Sequence, residues 1–327
     1  MRLEELQTPA LIVDGARLDA NLGAMSEALP GPRLRPHVKA HKCTALARRQ
    51  FQLGHRNFTC ATIREMEGLA QAGLGDDLLL ANEVVDARRL AALDARVTVA
   101  IDSAETLAAA AAAGLSEVLV DVNVGLPRCG CAPEQAGALA DRARSLGLQV
   151  RGVMGYEGHV VGVADRAERE RATAESMEML LAAHADVGGE VVSAGGTGTY
   201  DCNTAASEIQ AGSYALMDSA YDALDLPFQP ALSVLATVIS VADRYAVADC
   251  GLKALGMDHG KPAVEGGAVW FCSDEHITFA PERKLSVGER VQVWPAHVDP
   301  TVAYHERMYV VDGQGVLETW SVDLRGW

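Results

Sequence analysis

Residues 34–42 read Leu-Arg-Pro-His-Val-Lys-Ala-His-Lys, and they open the part of the chain that decides the fold. Residues 34–39 predict a short strand, and further runs of strand length follow it at residues 57–61, 77–81, 97–101, 118–122, 149–155, 191–194 and 209–216. Helical patterns of apolar residues separate most of these runs, at residues 44–53, 63–72, 84–93, 104–113, 133–146 and 167–184. Short strands that alternate with helices predict a (β/α)8 TIM barrel.

The pattern changes beyond residue 225, where short apolar runs are bounded by glycine and aspartate. These runs lie at residues 234–241, 245–248, 268–271, 290–294, 308–311 and 316–320. They predict a second, smaller antiparallel β domain. We therefore expect a barrel at residues 15–225, and a β domain at residues 226–327 that also includes residues 1–14.

Composition excludes several classes of protein. The 327 residues carry a formal net charge of -16, which argues against a partner that is nucleic acid or an anionic membrane. No secretory signal pattern opens the chain, and no apolar run is long enough to predict a membrane-spanning helix. The 7 cysteines are irregularly spaced, as is typical of free thiols in a reducing compartment. We expect a cytoplasmic protein that acts on a small molecule.

Polar and glycine residues recur where the predicted strands end. A barrel of this type carries its active site at the carboxyl ends of its strands, so these residues are expected to line one site. They are His37, Lys39, Arg128, Tyr156, His159, Gly195, Gly196, Thr197, Gly212, Ser213 and Tyr214.

Two of these positions suggest a specific chemistry. Lys39 follows an apolar residue near the end of a predicted inner strand, where burial lowers the pKa of an ammonium group. A neutral amine can form a Schiff base. The alternative is that Lys39 is an ordinary surface lysine on a loop, a description that fits Lys42 better. The turn Gly-Gly-Thr-Gly-Thr at residues 195–199 offers N–H and hydroxyl donors to a phosphate group, or is simply a flexible turn.

His297 and Asp299 form a possible metal pair. Residues two apart on an extended chain point to the same side, so the imidazole and the carboxylate could share one ion. Nitrogen and oxygen ligands suit Mn²⁺ or Mg²⁺ better than thiolates would. The alternative is an ion pair exposed to solvent.

Taken together, these motifs resemble the fold type III enzymes that use pyridoxal 5'-phosphate (PLP), and among them the D-threonine aldolase and D-serine dehydratase family. The similarity runs nearly end to end, and its most specific piece is residues 35–42, although Ala40 stands where the family usually has threonine. The resemblance implies that Lys39 holds PLP covalently and that Arg128 lies near its phenolic oxygen. It also implies that residues 195–199 and Tyr214 lie near the phosphate.

The resemblance further implies that His297 and Asp299 bind a divalent metal. In the dehydratase branch the second ligand is typically cysteine and the metal is zinc, so Asp299 favours the aldolase branch with Mn²⁺ or Mg²⁺. We expect cleavage of D-3-hydroxy amino acids to glycine and an aldehyde, with His159 or a metal-bound water taking the hydroxyl proton. The alternatives are a dehydratase acting on D-serine or 3-hydroxyaspartate, an amino-acid racemase and a non-enzymatic PLP carrier. Related enzymes are homodimers, and we expect the same here.

Overall fold

The computed structural model describes residues 1–327. Its α-helices are α1 (Gly15–Ala28), α2 (Thr44–Gln52), α3 (Ile63–Gln71), α4 (Ala104–Ala112), α5 (Ala136–Ser145), α6 (Arg166–Val187) and α7 (Val298–Tyr304). The first eight strands are β1 (Ala10–Asp14), β2 (Asn57–Cys60), β3 (Asp77–Leu80), β4 (Val97–Ile101), β5 (Glu117–Asp121), β6 (Gln149–Gly155), β7 (Val191–Ala194) and β8 (Glu208–Ile209). The others are β9 (Leu232–Val241), β10 (Ala246–Ala248), β11 (Ala263–Val264), β12 (Gly267–Cys272), β13 (Ile277–Pro281), β14 (Arg290–Trp294), β15 (Arg307–Asp312) and β16 (Gly315–Ser321). None of the helices has both the length and the apolar character that a bilayer span requires.

A parallel sheet that closes on itself forms the first layer of the fold. Strands β2 to β8 pair in chain order as a 7-stranded sheet. The segment before them makes one parallel bridge to each edge, from Leu34 to Ile209 of β8 and from His37 to Thr59 of β2. This segment completes the ring, and the predicted TIM barrel is confirmed.

Helices begin where the sequence supplies caps for their first N–H groups. At the start of α3, the Thr62 side chain accepts a hydrogen bond from the backbone N–H of Glu65, and the Glu65 carboxylate accepts one from the backbone N–H of Thr62. Ser103 and Thr106 form the same reciprocal arrangement at the start of α4. Such capping boxes satisfy N–H groups that a helix leaves without partners, and they fix where each strand-to-helix connection ends.

A second sheet is built mainly from the last third of the chain. Its 9 strands follow the order β10-β13-β12-β11-β14-β9-β1-β15-β16, and β10 also pairs with β9. That additional pairing closes six strands into an antiparallel barrel, as the predicted second β domain requires. Strand β1 lies inside this sheet, antiparallel to β9 and parallel to β15.

Contacts divide the chain into two compact units. One consists of residues 1–24, 40–45 and 213–323, and the other of residues 25–39, 46–212 and 324–327. The expected domain division at residues 225 and 226 stays a prediction.

Candidate active site

Lys39 lies directly after the segment that closes the parallel barrel. It occupies a single turn of 3-10 helix, Val38–Ala40, where the sequence predicted the end of a strand. The carboxyl ends of parallel strands share one rim, so Lys39 lies at the same rim as the loops after β5, β6 and β7. Its side chain is half-buried, and its backbone N–H is 3.5 Å from Nδ1 of His37.

Three predicted cofactor residues lie together at this rim. The Arg128 guanidinium stands over the Tyr156 ring, 5.4 Å from its centroid. The same ring borders Gly196, where an added Cβ would be 3.5 Å from Cε2 of Tyr156. The ring of His159 packs against Gly125 in the loop after β5, so closely that a Cβ added to Gly125 would lie 2.7 Å from the ring. The loops after β5, β6 and β7 therefore contribute to one continuous surface.

The glycine turn after β7 is held in place by a buried carboxylate. Glu157 accepts hydrogen bonds from the N–H of Gly195 at 3.1 Å and from the Thr199 hydroxyl at 2.9 Å. The N–H of Gly196 donates to the Thr199 hydroxyl oxygen at 3.2 Å. The N–H groups of both glycines therefore already have partners, Gly195 in Glu157 and Gly196 in Thr199. Thr197, the other threonine of the turn, is buried.

Arg128 and Asp121 line one small cavity, and Asp121 pairs with a second carboxyl group, that of Glu83. Burial, and then a hydrogen bond with Glu83, raise the pKa of Asp121 well above its usual range. Glu83 also bonds the thiol of Cys129, and this bond together with burial raises the pKa of that thiol to about 11. The raised pKa values of Asp121 and Cys129 both favour the protonated, uncharged forms of these groups next to Arg128.

The last predicted cofactor residues follow β8. Gly212 lies three residues beyond the end of β8, and Ser213 begins a 3-10 turn, Ser213–Ala215. Tyr214 is buried, and its ring centroid lies 5.7 Å from that of Phe228. Sequence analysis predicted a strand through residue 216, whereas β8 ends at Ile209.

The structure places His297 and Asp299 close together, but not on an extended chain as predicted. His297 is the N-cap of helix α7, and Asp299 lies in its first turn. His297 itself has extended dihedral angles, so its ring still faces the first turn, and Nε2 lies 3.9 Å from Oδ1 of Asp299. Pro300 fits this helix because the first turn needs no N–H donors from its residues.

A third carboxylate makes this region suitable for a cation. Asp218 is buried, and its Oδ2 accepts the N–H of Val298 at 2.8 Å, whereas its Oδ1 has no hydrogen-bond partner. Burial raises the pKa of Asp218 to about 7. An orphaned buried carboxylate oxygen close to an imidazole and a second carboxylate is what a divalent ion would satisfy. These donors therefore fit the metal that the family implies.

Several residues that support these groups were not predicted from the sequence. Glu157 directly follows the predicted Tyr156, and Asp218 follows Tyr214 by four positions, next to the apolar residues Leu216 and Met217. Asp258 and His259 were not singled out, yet the His259 ring stacks on that of His297 with centroids 3.8 Å apart. Their ligand atoms and one of His297 lie within 4.8 Å of one another.

A closed parallel barrel with a lysine after its closing segment, joined in one chain to an antiparallel β barrel, defines the alanine-racemase-like class of fold type III PLP enzymes. Residues 13–220 match the family model described as alanine racemase, N-terminal domain, and residues 231–311 match the putative serine dehydratase domain. The chain belongs to the alanine racemase N-terminal domain family.

Individual relatives resemble the chain over nearly its whole length. A D-threonine aldolase from an Arthrobacter species is 34% identical over 99% of this chain and 94% of its own. A 3-hydroxy-D-aspartate aldolase from Paracoccus denitrificans is 33% identical over 98% of this chain and 93% of its own. A D-threo-3-hydroxyaspartate dehydratase from a Delftia species is 28% identical over 98% of this chain and 98% of its own. The crystal structure of D-threonine aldolase from Filomicrobium marinum matches with a TM-score of 0.93 at 34% identity, covering 99% of this chain and 97% of that one.

Proposed function

We propose that this protein is a PLP- and divalent-metal-dependent aldolase that cleaves D-3-hydroxy amino acids, such as D-threonine, to glycine and an aldehyde. The observation that carries the proposal is the approach of His297 and Asp299 to 3.9 Å, with the partnerless oxygen of Asp218 in the same unit. A donor set of nitrogen and oxygen atoms without a thiolate favours a harder ion, Mn²⁺ or Mg²⁺ rather than Zn²⁺. The full-length similarity to two aldolases supports it.

The bound groups would supply two kinds of chemistry. PLP, held by Lys39, offers an electron sink for charge at the substrate Cα, and a cation held by His297 and Asp299 is a Lewis acid that acidifies the β-hydroxyl. Lys39 would hold the cofactor, and Arg128 would face its phenolic oxygen. Residues 195–197, 212 and 213 together with Tyr214 would hold its phosphate, and His37 and Tyr156 would border its ring.

His159 is assigned the proton transfer. Its ring is exposed and packs on the loop at Gly125, so one of its nitrogens can take the hydroxyl proton as the Cα–Cβ bond breaks. A dehydratase would instead release water and then ammonia, leaving pyruvate or oxaloacetate. Asp299 favours the aldolase over the dehydratase. The resemblance implies that the dehydratase branch typically has cysteine at this position and binds zinc.

Product analysis tests the proposal. The protein is loaded with PLP, stripped of metal and incubated with D-threonine, L-threonine, D-serine or D-3-hydroxyaspartate, with and without Mn²⁺. We expect equimolar glycine and aldehyde from a D-3-hydroxy substrate only when Mn²⁺ is present. Ammonia with a 2-oxo acid would refute the aldolase, and full cleavage in the stripped protein would refute its dependence on metal.

Two further assignments accompany this function. All seven cysteines are free thiols, which supports a cytoplasmic location. The exposed, neighbouring rings of Tyr245 and Trp270 on the antiparallel barrel support a homodimer, because exposed aromatic clusters commonly mark contact surfaces.

A further inference from the structure

The two ring nitrogens of His297 face two different carboxylates. Nδ1 lies 2.7 Å from Oδ2 of Asp258, a hydrogen-bond distance, and Nε2 lies 3.9 Å from Oδ1 of Asp299. Asp258 is 39 residues away in the sequence and reaches His297 from the segment between β10 and β11.

This arrangement determines which nitrogen can bind a metal. The Asp258 oxygen lies 2.7 Å from Nδ1, where it is placed to accept a hydrogen bond, so the geometry puts the ring proton on the nitrogen facing Asp258. Neutral imidazole has one N–H and one lone pair, which leaves the lone pair on Nε2. Nε2 is the nitrogen that faces Asp299. A carboxylate behind a histidine ligand also fixes the ring orientation and increases the basicity of the ligand atom.

We infer that Asp258 is a positioning residue for the metal, and that it makes Nε2 of His297 the ligand atom. This inference rests on the proposed function, because that function requires the metal. It adds to the proposed site a residue that no motif indicated. Two hydrogen bonds also fix the backbone at His297 and Val298. Asp218 accepts the N–H of Val298, and the Thr301 hydroxyl donates to the carbonyl of His297 at 2.7 Å.

A different ligand set, Asp258 with His259 and His297, agrees less well with the geometry. The two imidazole planes are stacked at 3.8 Å with an angle of 8° between them. A metal lies near the plane of each imidazole that binds it, at about 2 Å, so two stacked rings cannot both bind one ion. The distance of 2.7 Å between Nδ1 and Asp258 also leaves no room for an ion between these atoms.

Mn²⁺ binding to the PLP-loaded, metal-stripped protein provides the test. Electron paramagnetic resonance of free Mn²⁺ gives the affinity without any assay of activity. Asp258→Ala should weaken binding by about 10- to 100-fold, as is usual when the carboxylate behind a histidine ligand is lost. Asp258→Asn should weaken it less, because the amide oxygen still accepts from Nδ1. Asp243→Ala removes an exposed carboxylate between β9 and β10, and should leave the affinity unchanged.

The tautomer of His297 gives a second readout that a purely structural role would not change. In the metal-free protein, ¹⁵N NMR should show the proton on Nδ1, and Asp258→Ala should shift it toward a mixture of both tautomers. Wild-type Mn²⁺ affinity in Asp258→Ala would overturn the inference. So would loss of binding in His259→Ala together with normal binding in Asp299→Ala. Tight Mn²⁺ binding without glycine production would instead refute the proposed function and leave this inference standing.

Discussion

The position of Lys39 depends on a few residues around it. Arg35 and Pro36 belong to the strand segment that closes the barrel, where the carbonyl of Pro36 accepts the N–H of Thr59 at 2.9 Å. The chain then turns at Val38, which is buried, and this turn brings the next side chain to the rim. Lys42 lies beyond the turn, in a left-handed backbone conformation with a φ of 45°. The two lysines therefore have different surroundings although they are three positions apart.

Replacing Lys39 with alanine tests its assigned role. PLP joined covalently to a lysine absorbs visible light, so Lys39→Ala should lose that absorbance after reconstitution and dialysis. Lys42→Ala is the matched control, and it should keep the spectrum of the unaltered protein. An unchanged spectrum in Lys39→Ala would assign the cofactor to another amine.

The strands of the parallel barrel are joined at their amino ends by buried charges. Arg35 binds Glu208 of β8 at 2.7 Å and Asp77 of β3 at 3.1 Å. Arg151 of β6 binds Asp77 at 2.8 Å. Burial would raise the pKa of Asp77, but the hydrogen bonds and charges of Arg151 and Arg35 outweigh it and hold the pKa at about 2. These ion pairs stabilise the barrel at the end opposite the proposed site.

Acid should weaken this network in a defined range of pH. A carboxylate with a pKa of about 2 in the folded state, against an ordinary 3.8, stabilises the protein above that ordinary value. This stabilisation is lost as the pH falls from about 4 to about 2. The difference in unfolding free energy between the unaltered protein and Asp77→Asn should therefore shrink by about 2 kcal/mol over this range.

Urea unfolding at several pH values measures this difference. Asp76→Asn is the control, because its partner Arg56 is 3.4 Å away and both side chains are more than half exposed. Exposed pairs contribute little to stability, so that variant should show no such trend. A difference for Asp77→Asn that stays constant down to pH 2 would contradict the assignment.

Sequence patterns predicted elements where local preferences agree with the fold. The alternation of strands and helices indicated the barrel, and the ends of parallel strands indicated the rim. Residues 84–93 were predicted as a helix, but only Leu90–Ala92 forms a 3-10 turn. Asp86 accepts hydrogen bonds from the backbone and side chain of Arg88, and such local bonds compete with a helix.

Other features depend on contacts that no local pattern encodes. Strand β13 was missed because it ends in Pro281, which is unfavourable within a strand. Helix α7 was missed because of Pro300, which only the first turn of a helix tolerates. Asp218 bonds Val298 across 80 residues of sequence, and Asp258 bonds His297 across 39, so their contacts with the proposed metal pair emerge only in the folded chain.

The proposed homodimer brings together two molecules of the same charge. Each chain has a formal net charge of -16, so copies repel at long range. Apolar contacts must outweigh this repulsion, and the antiparallel barrel exposes Tyr245, Trp270 and Phe271 by 38%, 39% and 55%. Salt screens the charges and leaves the apolar contacts intact.

Sedimentation measures the association directly. We expect a mass near twice 34.6 kDa, with a dimer that becomes tighter as salt is raised from low concentration. Replacing Trp270 and Phe271 with serine should shift the equilibrium toward monomer. Val85→Ser alters an 82% exposed apolar residue on the other compact unit and should have no effect. A monomer at every salt concentration would rule the dimer out.

The place of β1 inside the 9-stranded sheet has a consequence for biosynthesis. Residues 10–14 leave the ribosome long before their partners, because Ala10 pairs with Leu235 and Leu11 with Met308. This apolar segment has no neighbouring strand until β9 has been translated, and its second neighbour, β15, follows only near residue 312. The strands of the parallel barrel are complete earlier, so nascent chains stalled before β9 should expose an unpaired β1 segment that chaperones and proteases can reach.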